Sequence, residues 1–136
     1  MNRQALLTGL LRLTARLSLP VAHAIGTALG WLLGRIPNPM RRIAARNLAL
    51  VFPAMTEADR HRLLRANLME TGKLLLELGP LWLWPGARVL ALVRDSVAGE
   101  EALAAAVQQK QGAILLTPHL GSWEMAGLYY SSRHPL

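Results

Sequence analysis

The chain of 136 residues, 14.9 kDa, has room for one modest core and is too short for two enzyme domains. With 52% hydrophobic and 17% charged residues, its composition excludes wholesale disorder, and the absence of Cys excludes a disulfide scaffold, a zinc ribbon and a thiol nucleophile. The net charge of +7 sits wholly in residues 1–56, which hold seven Arg and no acid, while residues 57–136 hold eight bases and eight acids. A basic, apolar N-terminus reads as membrane contact near anionic headgroups or as a docking face for an acidic partner. Nucleic acid ranks well below, because the Arg residues flank Leu, Ala and Gly rather than interleaved aromatics.

Between Arg16 and Arg35 run 18 residues without a formal charge, Leu17–Gly34. A spanning helix needs about 20 apolar residues. Pro20, His23 and three Gly make this stretch borderline, so residues 1–36 are expected to be a basic, hydrophobic membrane anchor that either spans or lies on the bilayer. The plainer alternative is a buried core helix. A cleaved signal peptide fits poorly, since Arg35 follows without a small-x-small site. Pro37 and Pro39 then break the chain, and a helix is expected from about Met40 until Pro53 stops it. Arg42 and Arg46 share a face of that helix. With Arg41 they form either a basic patch for lipid phosphate or an acidic carrier, or simply a solvated edge.

The stretch from Met55 to Gly79 predicts the clearest amphipathic helix, with Thr56 as N-cap, Glu57 and Asp59 in its first turn, and Gly79-Pro80 as its end. Glu70 and Glu77 are seven apart and read as a solvated stripe. Trp82 and Trp84 are expected in the core or an interfacial belt, with core packing the safer reading. Ala87–Asp95 has the length of a strand, Glu100–Lys110 reads as a helix closed by Gln111-Gly112, and Ala113–Pro118 is expected to be a buried strand. The expected fold class is therefore α/β, with residues 37–136 forming the first part of an αβ domain.

The chemistry-bearing run is Thr117-Pro118-His119-Leu120-Gly121-Ser122-Trp123-Glu124. On a regular helix a five-residue step turns the chain by about 140°, so His119 and Glu124 meet only if the His lies in a loop and the Glu opens the next helix. In that arrangement a neutral imidazole takes a proton from a hydroxyl, and the carboxylate fixes its tautomer. The nucleophile would then come from the acceptor substrate rather than from the protein. The bland alternative is a structural His beside an unrelated surface Glu. His23, His61 and His134 are weaker candidates. The run lacks the i,i+4 His pair of the helical zinc motif, so no metal is expected, and Ser122 does not sit in a G-x-S-x-G elbow.

The run from Ile114 to Gly127 resembles the His-x4-acid block of the bacterial lipid A acyltransferases, the lauroyl/myristoyl transferase family, relatives of the glycerophosphate acyltransferases. That block reads H-F-G-N-W-E, so His119, Gly121, Trp123 and Glu124 match while Leu120 and Ser122 depart. The upstream pattern R-x4-NL-x3-FP, here Arg42, Asn47, Leu48, Phe52 and Pro53, is similar too. The resemblance covers nearly the whole chain from about Leu17. It implies transfer of a fatty acyl chain from acyl carrier protein to a hydroxyl of a lipid A precursor, at the cytoplasmic face of the bacterial inner membrane. By analogy His119 is the general base and Glu124 its partner, while Gly121, Ser122 and Trp123 contact substrate. No cofactor beyond the carrier-bound thioester is implied. The partners are inner-membrane lipids, the lipid A precursor and acyl carrier protein. Another glycolipid or lysophospholipid acceptor, or a non-catalytic membrane-binding fragment, are the alternatives. The family's later blocks have no counterpart here, so the chain is expected to be an N-terminal fragment, inactive or poorly folded alone.

Overall fold

The computed structural model describes residues 2–93, 97–110 and 113–133. The chain forms two compact units, Met1–Leu83 and Trp84–Leu136.

The first unit holds four helices: α1 (Arg3–Thr14), α2 (Leu19–Leu33), α3 (Pro39–Val51) and α4 (Glu57–Leu83). Local chemistry sets their ends. Asn38 is the hinge between α2 and α3: its Oδ1 accepts from the Arg41 N–H at 2.9 Å, and its Nδ2 donates to the Leu33 and Ile36 carbonyls at 2.8 Å each. One side chain thus serves both a helix start and the preceding helix end. Thr56 caps α4 by accepting from the Asp59 N–H at 3.1 Å and donating to its carboxylate at 2.8 Å. The 27 residues of α4 make a rod about 40 Å long against which the other three helices pack.

The tightest seam joins α2 to α4. The buried residues of α2 are Ala22, Gly26 and Gly30, one turn apart. They face Leu68, Gly72 and Leu76 of α4, also one turn apart and buried. A Cβ added at Gly26 would fall 2.6 Å from the Gly72 carbonyl oxygen, and one added at Gly30 or Gly72 would also strike backbone. Here glycine is needed for close approach of two backbones. Gly79 plays the same part against the end of α1, where it meets buried Thr14 and the Leu11 carbonyl.

That contact explains why Gly79-Pro80 does not end α4, contrary to the sequence expectation. Gly79 does not adopt the positive φ of a helix stop. It lies buried in the helix with Pro80, and the helix runs on to Leu83. Packing against α1 outweighs the hydrogen bond that Pro80 cannot make.

Residues 1–36, left open by the sequence to span the bilayer or lie on it, do not form one long helix. The chain breaks after Thr14 and restarts at Leu19 with Pro20 in the first turn, leaving helices of 12 and 15 residues. No helix among the described residues is long and apolar enough to cross a membrane. Large apolar side chains nevertheless stay exposed along these helices: Leu6, Leu10 and Leu13 on α1, and Val21, Ile25, Leu29 and Leu32 on α2.

The second unit holds α5 (Gly86–Leu90), α6 (Glu100–Gln108) and α7 (Glu124–Arg133). The α/β class is not what forms: the described residues contain no strand. The expected strand Ala87–Asp95 coils into α5 and a turn through Val93, as its Ala, Leu and Arg content permits, while Arg94–Ser96 lie outside the described residues. Ala113–Pro118 forms no regular element, and Ile114 and Leu116 are each 90% exposed rather than buried. A strand exists only with a ladder partner, and none is present among the described residues. Gln111-Gly112 and His134 also lie outside them. Neither indole is fully buried: Trp82 is exposed near the end of α4, and Trp84, half-buried, lies under the Arg88 guanidinium at 3.5 Å.

Candidate active site

The second unit positions the His-x4-Glu run through α7. Tyr129 is buried on α7, and its hydroxyl donates to Glu100 Oε2 of α6 at 3.1 Å. Arg133 donates to the other oxygen of the same carboxylate at 3.1 Å. One carboxylate thus ties α6 to two successive turns of α7. Burial, together with that carboxylate, holds the Tyr129 phenol above the usual tyrosine range.

His119 lies in the loop before α7, and Glu124 is the first residue of the helix. A carboxylate in a first helical turn complements the positive end of the helix dipole. Between them the chain makes two tight turns. The Leu120 N–H donates to the Pro118 carbonyl at 2.8 Å. Gly121 then takes φ +59°, a left-handed conformation that L side chains rarely adopt. The Ser122 and Trp123 carbonyls start the helix by accepting from Met125 and Ala126 at 3.0 and 3.2 Å. This reversal folds the His119 ring onto the Trp123 indole, with centroids 4.4 Å apart and planes 19° from parallel. Stacking fixes the plane of the imidazole while the ring stays exposed. Leu120, next in the chain, is 80% exposed. Ser122 is half-buried and contributes its carbonyl to the helix start.

The basic patch belongs to the first unit. Arg41 is half-buried, and Arg42 and Arg46 are exposed on α3. The three do not act alike: Arg41 and Arg42 line a cleft of about 390 Å³ with His61 of α4, and Arg46 does not.

A pair that the sequence reading passed over lies between α2 and α4. His23 Nε2 and Glu77 Oε1 are 2.5 Å apart, and the Glu77 side chain is only 18% exposed. Glu77 is therefore not part of a solvated stripe with Glu70, which is exposed and pairs with Lys73 at 2.7 Å. The available signal was a lone imidazole in an uncharged run and a carboxylate on a leucine-rich helix. Nothing in their spacing joins residues 54 apart. Among the described residues no group of three His, Asp or Glu is placed to hold a metal ion.

Comparison with known proteins covers both units. The family described as bacterial lipid A biosynthesis acyltransferase matches residues 3–136. A lipid A biosynthesis lauroyltransferase of Escherichia coli K12 is 32% identical over 127 residues, 93% of this chain and 41% of that protein. A lipid A biosynthesis acyltransferase of Haemophilus influenzae is 33% identical over 85% of this chain and 37% of its own length. A lipid A biosynthesis palmitoleoyltransferase of Escherichia coli K12 is 31% identical over 88% of this chain and 38% of its own length. The chain thus spans about two fifths of the length of the curated relatives it matches. No solved structure matches it.

Proposed function

The chain belongs to the family of bacterial lipid A biosynthesis acyltransferases, and on that premise we propose that it carries the general base of an acyl transfer from an acyl carrier protein thioester to a hydroxyl of a lipid A precursor. The observation that carries this reading is the His119–Glu124 run, loop imidazole and helix-opening carboxylate, inside a match that extends over residues 3–136. In the proposed reaction the His119 imidazole removes the acceptor hydroxyl proton as the oxygen attacks the thioester carbonyl. The tetrahedral intermediate collapses and expels the carrier's thiolate, which takes the proton from the imidazolium. The ester forms, the thioester breaks, and no covalent enzyme intermediate is needed. Glu124 holds the second ring nitrogen and stabilises the imidazolium. Trp123 keeps the ring in plane, and Gly121 and Ser122 shape the wall that the substrate meets.

The site would work at the cytoplasmic face of the bacterial inner membrane. Residues 1–36 lie on the bilayer in this proposal rather than crossing it. Their exposed Leu, Val and Ile enter the acyl boundary, and Arg3, Arg12, Arg16 and Arg35 meet headgroups. Arg41, Arg42 and Arg46 are the patch that meets lipid or carrier.

The test is acyl transfer to a lipid A precursor by the protein carrying this chain, supplied with acyl-carrier-protein thioester. His119→Ala and Glu124→Ala are each expected to lower the rate by about 10²–10⁴-fold, with association to anionic vesicles unchanged. A His119→Ala variant that transfers acyl chains at the parental rate would remove the general base from this residue. Vesicle association without any transfer by the parental protein would assign the chain a membrane-binding role instead.

A further inference from the structure

The cleft between the start of α3 and the first turns of α4 has a more specific chemistry than a basic surface. Pro39, Arg41, Arg42 and Ala45 form one wall; His61 and Leu64 form the other. Arg41 and Arg42 are neighbours in sequence, so on α3 alone they point about 100° apart. They share the cleft because α4 closes it from the other side. Among the described residues of the first unit, no carboxylate makes an ion pair with Arg41, Arg42 or Arg46. The Arg41 N–H is already taken by the Asn38 side chain, so the attraction for an anion comes from the guanidinium groups and not from a free helix end.

We propose that this cleft is a phosphate site, in which Arg41, Arg42 and the His61 imidazole bind the terminal oxygens of a phosphomonoester. Guanidinium donates in a planar fork that fits two oxygens of one phosphate, and a third donor from α4 fits the remaining oxygen. A volume of about 390 Å³ accommodates a phosphorylated headgroup. Glu57 sets the limit on affinity: its carboxylate lies 3.8 Å from His61 Nε2, is 85% exposed and competes for that ring. The inference deepens the lipid-or-carrier part of the proposed function and rests on that part alone. It is independent of acyl transfer.

The test compares binding of the protein carrying this chain to phosphatidylcholine vesicles doped with phosphatidic acid, a phosphomonoester, or with phosphatidylglycerol, a phosphodiester. The chain is expected to prefer phosphatidic acid. Arg42→Gln should reduce that preference roughly tenfold, whereas Arg46→Gln, the same charge change one turn along and outside the cleft, should weaken both lipids alike. Arg41→Lys with Arg42→Lys keeps the charge and loses the fork, so it should bind both vesicles but lose the preference. Glu57→Gln should strengthen it. Circular dichroism confirms that each variant keeps its helices. Inorganic phosphate is the second arm: it presents the same terminal oxygens, so competition below the apparent affinity for phosphatidic acid vesicles identifies free phosphate as the ligand, and competition only at millimolar concentration identifies a lipid headgroup. Equal losses for Arg42→Gln and Arg46→Gln, or no preference in the parent chain, would overturn the phosphate site and leave diffuse attraction. Neither result bears on transfer by His119, which the acyl-transfer assay reads separately.

Discussion

Gly121 and His119 show what a single backbone angle does for the candidate site. At φ +59° a Cβ on residue 121 would meet nothing within 4 Å, so the demand there is for left-handed backbone and not for space. An L-alanine in that conformation costs about 1–2 kcal/mol, and the loop relieves the strain by opening. Gly121→Ala is therefore expected to lift the His119 ring off Trp123. Gly121→Asn, which tolerates this region better, should hold it. The His119 ring-proton shifts report the stacking, and an unchanged upfield shift in Gly121→Ala would show that the loop does not need the turn. The sequence made the types at 119, 121 and 124 legible, because proton transfer, a tight reversal and a helix start each favour few residues. It did not make the Trp123 stacking legible, since a ring contact depends on the turn between the two rings. His61 escaped for a related reason: its place in the cleft is set by the pairing of α3 with α4.

At the level of elements, the starts of α3 and α4 are legible in the sequence, whereas neither expected strand forms among the described residues. Thr56 and the prolines at 37, 39 and 53 are local signals, and α3 and α4 begin close to where those signals put them. Ala87–Asp95 and Ala113–Pro118 are apolar runs, and such runs do not tell a strand from a helix or from an unpaired loop. Gly79 looks like punctuation in the sequence, but its task is contact, and α4 runs past it. The same reasoning yields a prediction for α2 and α4. Gly72→Ala puts a methyl group onto the backbone of Gly26. Thermal unfolding is expected to register a loss of about 1–3 kcal/mol, typical of overpacking. Gly9→Ala on α1, where a Cβ meets nothing within 4 Å, should instead gain up to about 1 kcal/mol through helix propensity. Equal effects at the two positions would mean that α2 and α4 do not meet as closely as described.

Across the whole molecule, charge is divided more sharply than structure. All seven Arg of residues 1–56 belong to the first unit, and the His119–Glu124 run belongs to the second. The proposed membrane contact is thus electrostatic as well as apolar. Each Arg near an anionic surface contributes about 1 kcal/mol within a Debye length of about 10 Å at 0.1 M salt. Sedimentation with anionic vesicles is expected to fall steeply as salt rises and to leave a weaker, salt-resistant remainder from the exposed apolar faces. Binding indifferent to salt would reject a headgroup role for these residues. The first unit also has an internal hierarchy of opening. Where α2 crosses α4, backbone lies on backbone at Gly26, Gly30 and Gly72, so no rotamer change can loosen that crossing by degrees. The helices there either stay together or part completely, and in deuterium exchange the amides of these three glycines should be the last of the unit to be replaced.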